Sequence, residues 1–328
     1  MGKLAVGEGA RRVLRWLAAG AVLGVCAFYL GRRIDLAVLG RSLARADYRL
    51  VLLMTAGHLL LLLPLKAWRW GTMLASIRRL PVARLYRYCL AGCAVTNLLP
   101  ARAGHAARVL LVHRDGVPVA GAVGTIVLEE ICNTVVLGLL CLPLPFMLHL
   151  PGRVRATLAL VTLGAALGVL VSVWLALTGR ARPSGLLRRL SEGVAVLRQG
   201  RAAGIVFAIT AAMWLLDLGQ IALAMVAVAM PPSFAGVALV LLFVNLTNAL
   251  PATPGQVGLF EAGAAAACVA VGATPEQGVA VGVLYHMMQF IPETVLGLWA
   301  LGWGALGRVR LAEAQPAAAA EPPGAPWP

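Results

Sequence analysis

Apolar runs of membrane-crossing length alternate with short polar stretches along this chain. Runs at 13–31, 50–70, 117–148, 154–178, 203–230 and 276–307 predict six full spans. Two further stretches, 84–113 and 235–271, behave differently. Each is apolar, breaks at Asn, Pro and Gly, and resumes too short or too polar to form a full span. The breaks are copies of one phrase. Thr96 to Gly104 reads TNLLPARAG and Thr247 to Gly255 reads TNALPATPG, identical at six of nine positions. Pro and Gly unwind a helix, and backbone groups freed at membrane depth survive only where protein or a water-filled cavity covers them. Such breaks at corresponding places in two halves point to a transporter's binding site. The expected structural breaks are Asn97, Pro100 and Gly104 in the first copy, and Asn248, Pro251, Pro254, Gly255 and Gly258 in the second.

The pattern predicts an all-α polytopic membrane protein with six full transmembrane helices plus two re-entrant broken-helix hairpins. Three full spans separate the hairpins, which puts them on opposite faces as inverted repeats with tips meeting near the bilayer middle. The repeat extends past its motif: VLGL recurs at Val136–Leu139 and Val295–Leu298, 40 and 48 residues after the respective threonines, so the second copy carries extra length. The transmembrane domain is read as 13–308, after a basic N-terminal segment, 1–12, and before an Ala- and Pro-rich tail, 309–328, read as disordered. Between spans, 179–201 is basic with Leu186, Leu187, Leu190, Val194 and Leu197 at near-helical spacing, the signature of an interfacial helix.

Composition sharpens this. Sixty percent of the 328 residues are hydrophobic, 12% are charged, and mean hydropathy is +0.86, which excludes a soluble globular chain. The formal charge of +15 has two readings. Nucleic-acid binding needs a basic soluble face with stacking aromatics; here the basic residues sit in short clusters between apolar runs, as the arginine excess that orients membrane proteins does. With both termini in the cytoplasm, 19 of the 28 basic residues fall on that side, among them the cluster Lys66, Arg69, Arg78, Arg79, Arg84 and Arg87. The loop at 32–49, with five arginines, runs against this orientation. The first run follows Lys3, Arg11, Arg12 and Arg15 like a signal peptide, yet it is long and lacks a clean cleavage site, so it is read as a retained span. The six cysteines lie in or beside apolar segments without a histidine at zinc-like spacing, and read as packing residues. No metal or cofactor is expected.

Two motifs resemble the family of the lysylphosphatidylglycerol synthase transmembrane region, also described as flippase-like. One is N-x-x-P-x-x-x-G followed by a basic residue, here Asn97, Pro100, Gly104 and Arg108. The other is P-x-x-P-G-x-x-G-x-x-E, here Pro251, Pro254, Gly255, Gly258 and Glu261. The resemblance covers roughly 13–308 and implies a membrane region that moves a lipid between leaflets of a bacterial-type cytoplasmic membrane. In bifunctional relatives a separate soluble domain adds the amino acid; the resemblance here implies the flipping half without that synthetic half. Several charges depart from the family pattern, at His105, Glu130, Asn133 and His286.

Ionisable side chains in the hydrocarbon region face a cavity or one another. The expected substrate-binding set is Arg102, Arg108, Glu129, Glu130, Glu261 and His286. A phosphate headgroup needs a counter-charge, and the planar guanidinium of arginine supplies paired donors for it. Against this, Arg108 has the alternative of pairing with a nearby Glu, and Arg102 of snorkelling to the interface. Asn97 and Asn248 are read as tying down backbone freed at the breaks. His286, Gln289 and Glu293 share a helical face that relays protons, lines a polar path or forms an interhelical hydrogen-bond network. Asp217 is a weaker candidate for the same cavity.

Two function classes remain. A lipid translocase takes an anionic or zwitterionic membrane lipid as its partner and no nucleic acid, with homo-oligomerisation left open. Without a nucleotide-binding motif, its movement is passive or driven by an ion gradient. A membrane-embedded transferase acting on a lipid carrier is the alternative; it calls for a DxD motif or an extended soluble domain, and this sequence has neither. A scaffold role is disfavoured by polar residues at membrane depth.

Overall fold

A computed structural model describes residues 35–99, 103–147, 200–247 and 254–318, with side chains to 302, and isolated positions between 152 and 167. The expected spans 13–31 and 154–178, nearly all of the basic segment 179–201, and Pro100, Arg102, Asn248 and Pro251 lie outside the described residues, as does the side chain of Pro254.

Every element among the described residues is helical. Asp35 caps α1 (Leu36–Ala44), its carboxylate accepting the amides of Ala37 and Val38 at 2.8 and 3.2 Å. Asp47 caps α2 in the same way, accepting the Arg49 amide at 2.9 Å. Among the described residues, four helices are long and apolar enough to cross a membrane: α2 (Tyr48–Leu74), α5 (Val119–Cys141, carried on to Met147), α6 (Gly200–Ala227) and the Pro275–Gly302 part of α9 (Pro275–Ala318). These are the runs expected at 50–70, 117–148, 203–230 and 276–307. α9 runs on to Ala318, into the stretch whose composition predicts disorder; Ala and Glu there are strong helix formers.

Between the long helices lie two pairs of short ones. The first is α3 (Val82–Leu98) with α4 (Ala103–Arg114), the second α7 (Phe234–Thr247) with α8 (Leu259–Ala270). Among the described residues, each half therefore repeats one order: a long helix, two short helices, a long helix. α9 packs extensively on α8 and on α3, which joins the halves. Large apolar side chains such as Leu52, Leu60, Trp68, Leu215 and Trp299 face outward, as a hydrocarbon surround requires.

Prolines inside the long helices free carbonyls, and side chains from neighbouring elements take them. α2 contains a π turn at His58–Leu62 followed by Pro64; the Leu63 amide bonds to His58 and Pro64 has none to give. The hydroxyl of Tyr86 on α3 donates to the stranded Leu59 carbonyl at 3.1 Å. Pro292 likewise frees the Met288 carbonyl, which the Thr55 hydroxyl approaches at 3.4 Å.

The two breaks are not equal. α3 ends at Leu98 and α4 begins at Ala103, so Asn97 sits in the last turn of α3 and Gly104 in the first turn of α4. Gly104 lies so close to α3 that a β-carbon would strike the Gly92 carbonyl and the Thr96 hydroxyl. In the second pair the residue so placed is Gly263, whose β-carbon would meet the Phe243 carbonyl oxygen at 3.2 Å and the Thr247 methyl at 3.0 Å. Phe243 precedes Thr247 by four residues, as Gly92 precedes Thr96. The counterpart of Gly104 is thus Gly263, not the Gly255 that the sequence motif aligns with it. Gly263 lies eight residues further from its threonine than Gly104 does, which equals the extra separation of the two VLGL copies. The extra length therefore lies between Thr247 and Gly263, and α8 begins only at Leu259, beyond the Gly255 that ends the motif.

A single 3-10 turn, Pro254–Gln256, lies within this longer break. Gly255 (φ 62°), Gln256 (φ 58°) and Gly258 (φ 89°) all adopt left-handed backbone. Gly255 packs where a β-carbon would strike the Phe290 ring and stand 3.1 Å from the Asn97 carbonyl. Gly255 therefore reaches the end of α3.

Candidate functional site: a charged cavity between the two helix pairs

Both helix pairs wall a cavity of about 700 Å³, within the range of ligand sites. Thr96, Asn97 and Gly104 line it from the first pair, and Asn245, Gly255 and Gln256 from the second. A smaller cavity of about 200 Å³ shares Lys66, Glu130, Trp214, Gln289 and Glu293 with it.

One wall carries a buried ionic cluster. The Glu129 carboxylate on α5 accepts from Arg69 Nη2 at 2.9 Å and from Arg108 Nη2 at 2.7 Å, one guanidinium on each oxygen. Arg69, Arg108 and Glu129 are 1%, 3% and 2% exposed. Arg69 Nη1 also donates to Asn133 Oδ1 at 2.7 Å and Thr210 Oγ1 at 3.0 Å, linking α2, α5 and α6. The Arg108 guanidinium lies 4.1 Å over the Trp70 ring, and Trp70 is held by its Nε1–H donating to Thr125 Oγ1 at 3.1 Å. A lone buried charge in this region costs several kcal/mol, and the paired arrangement offsets that cost.

The sequence places Lys66 and Arg69 among the cytoplasmic orientation charges. The structure corrects this: α2 continues past them to Leu74, so Arg69 is buried in the cluster and Lys66, one turn earlier, lines both cavities.

Three histidine–carboxylate pairs surround the same space. His286 Nδ1 lies 2.7 Å from Glu261 Oε1, with the ring stacked on Phe260 at 4.3 Å and edge-on to Phe290. Glu261 Oε2 accepts the Gly258 amide at 2.6 Å, so the carboxylate caps α8 at the end of the second break while it holds the histidine. His58 Nε2 lies 2.9 Å from Glu293 Oε1. His105 Nε2 lies 3.6 Å from Glu130 Oε1. Asp217 accepts from the Tyr285 hydroxyl at 3.1 Å and lines the smaller cavity.

Of the expected site residues, Arg108, Glu130 and His286 line the main cavity, Glu129 holds Arg108 from behind, and Glu261 positions His286. The face of His286, Gln289 and Glu293 opens onto the cavity as a set. Asn97, read as tying down backbone freed at its own break, instead bonds to α9: its amide donates to the Phe290 carbonyl at 3.3 Å and the Thr294 hydroxyl at 3.0 Å. Sequence reasoning missed His58, Arg69 and Lys66. Their signal was a histidine followed six residues later by a proline, and two cations three residues apart near the end of an apolar run.

Fold and site together define an α-helical polytopic membrane protein with a charged cavity between two interrupted helix pairs. The family model of the lysylphosphatidylglycerol synthase TM region matches residues 16–297, and the chain belongs to that family. It is a membrane protein of a family linked to lipid modification or transport. No curated protein matches the chain.

Proposed function

We propose that the chain is a lipid translocase that moves an anionic or zwitterionic lipid between leaflets. The observation that carries this reading is the cavity: polar and charged, walled by both helix pairs, in a protein whose outer surface is apolar. Its size suits a headgroup, while acyl chains remain in the surrounding lipid. The two helix pairs enter from opposite faces as inverted repeats, and the lipid path opens alternately as the Gly255 tip parts from Asn97. Arg108 faces the headgroup, with Glu129 fixing its orientation. Arg102, in the first break, belongs to the same path. Movement is independent of ATP. The pairs His58–Glu293, His105–Glu130 and His286–Glu261 offer proton-accepting groups beside the cavity, and on this reading the rate depends on pH.

The test is reconstitution into liposomes carrying fluorescent phospholipids in both leaflets. A membrane-impermeant quencher then reports exchange without nucleotide, with and without an imposed pH gradient. Protein-dependent exchange of an anionic or zwitterionic lipid is expected. Exchange of no lipid under either condition would remove the translocase reading, and equal rates at all pH values would remove the role given to the histidine pairs.

A further inference from the structure

The charges around the cavity do not all find partners. Glu129 is shared by two guanidiniums, Glu293 is held by His58, Glu130 stands beside His105, Glu261 holds His286, and Asp217 accepts from Tyr285. Lys66 differs. Among the described residues no carboxylate lies within 4 Å of its ammonium group, and it makes no hydrogen bond with any of them, although it lines both cavities. Arg108 is also incompletely used. Its Nη2 is spent on Glu129, its Nε has no partner, and its Nη1 makes no hydrogen bond with a described residue.

Lys66, Arg69 and Arg108 carry three positive charges, and among the described residues Glu129 is the one carboxylate at bonding distance from them. Counting these four side chains alone, positive charge exceeds negative by two; Glu130, Glu293 and Asp217, which line the same cavities, are engaged by His105, His58 and Tyr285. Lys66 and Arg108 differ in a useful way. Trp70 and Glu129 hold Arg108 on two sides, so its free edge is presented in a fixed direction. Lys66 is a compact charge on a flexible stem, able to follow a ligand as it moves.

We infer that Lys66 and the free edge of Arg108 form an anion seat for a phosphate ester, with Lys66 as the principal movable contact. A tetrahedral phosphate has oxygens enough to accept from both side chains at once, and its charge of one or two matches the local excess. The inference deepens the translocase reading and rests on it for the role of the cavity; binding is measured apart from transport. The same chemistry serves a phospholipid headgroup or a soluble phosphate ester, so both are probed.

The experiment is calorimetric titration of the full chain in detergent with three probes: short-chain phosphatidylglycerol, glycerol 3-phosphate, and short-chain diacylglycerol as the phosphate-free control. Phosphatidylglycerol is expected to bind, diacylglycerol to bind at least about tenfold more weakly, and Lys66→Met to lose about tenfold in affinity or more, as removal of a charge-assisted contact does. Lys66→Arg should restore most of it. Thermal melting checks folding, and Lys66→Gln replaces Lys66→Met if that variant unfolds. Binding of glycerol 3-phosphate as tight as that of the lipid assigns the seat to soluble esters. Lys66-dependent binding without lipid exchange in vesicles keeps the seat and removes the translocase. Unchanged phosphatidylglycerol affinity in folded Lys66→Met, or no phosphate-dependent binding by the wild-type chain, overturns the seat while leaving any observed exchange intact.

Discussion

The two halves share one order of helices and differ in their breaks and in their charge. Four residues separate α3 from α4, and the helix ends on either side are clamped: Gly104 lies against Gly92 and Thr96, and Asn97 holds two groups on α9. Eleven separate α7 from α8; among the described ones Gly255, Gln256 and Gly258 take left-handed backbone, and Gly255 reaches across to the end of α3 at Asn97. The charges diverge as well. Thirty residues before Thr96 stands Lys66, and thirty before Thr247 stands Asp217; Arg69 corresponds in the same way to Gln220. Lys66 and Asp217 line the same small cavity. A duplicated framework thus carries the cavity's lysine and arginine side chains in its first half, beside Glu129, Glu130, His58 and His105, and in its second half a longer connection with Asp217, Glu261, His286 and Glu293. On the proposed reading the first half holds a phosphate and the Gly255 turn opens and closes over it.

The comparison can be broken most forcefully at Glu129. Glu129→Ala leaves two buried guanidiniums without their carboxylate, and the expected cost is about 3–5 kcal/mol, read as a large fall in melting temperature in detergent. Its position-matched counterpart in the second half, Met288, has no such partners, so Met288→Leu should cost under about 1.5 kcal/mol. Equal destabilisation would dissolve the contrast between the halves.

The next largest effect separates the two matched glycines. Gly104→Ala drives a methyl into a backbone carbonyl and should destabilise by about 1–3 kcal/mol or more. Gly263→Ala meets its neighbours at 3.0 Å and beyond, and should cost less. If Gly263→Ala proves the worse of the two in thermal unfolding, the second pair is the more tightly closed. Gly255→Ala sharpens the point, because an L-residue held at φ 62° carries a penalty of about 1–2 kcal/mol. Its effect should fall more on lipid exchange than on melting. The smallest effect is expected at Asp217→Asn, which keeps an acceptor for Tyr285: melting should be nearly unchanged, and exchange should slow by less than in Lys66→Met.

Much of this was legible in the sequence because membranes impose simple lengths. The runs at 50–70, 117–148, 203–230 and 276–307 were placed within a few residues, and both breaks were found from Asn, Pro and Gly inside apolar stretches. Even the size of the insertion was present, in the unequal spacing of the VLGL copies, although its location was not. The motif matched Gly255 to Gly104 because both end the nine-residue phrase; close packing against α7 picks out Gly263 instead, and such packing is a property of two helices rather than of one segment. Lys66 and Arg69 were misread because a cation near the end of a span looks the same whether it orients the protein or enters a cavity. His58 and Glu293 are 235 residues apart, and no local spacing announces their 2.9 Å contact.

The central claim is that lipid passes through the cavity when the second break parts from the first. It is tested most directly by placing cysteines at Asn97 and Gln256, joining them with a short thiol crosslinker, and following fluorescent-lipid exchange in proteoliposomes. The two single-cysteine variants, treated identically, set the baseline. The account predicts that the linked protein stops exchanging lipid and that cleaving the linker restores the baseline rate; exchange at an undiminished rate with the breaks joined would contradict it.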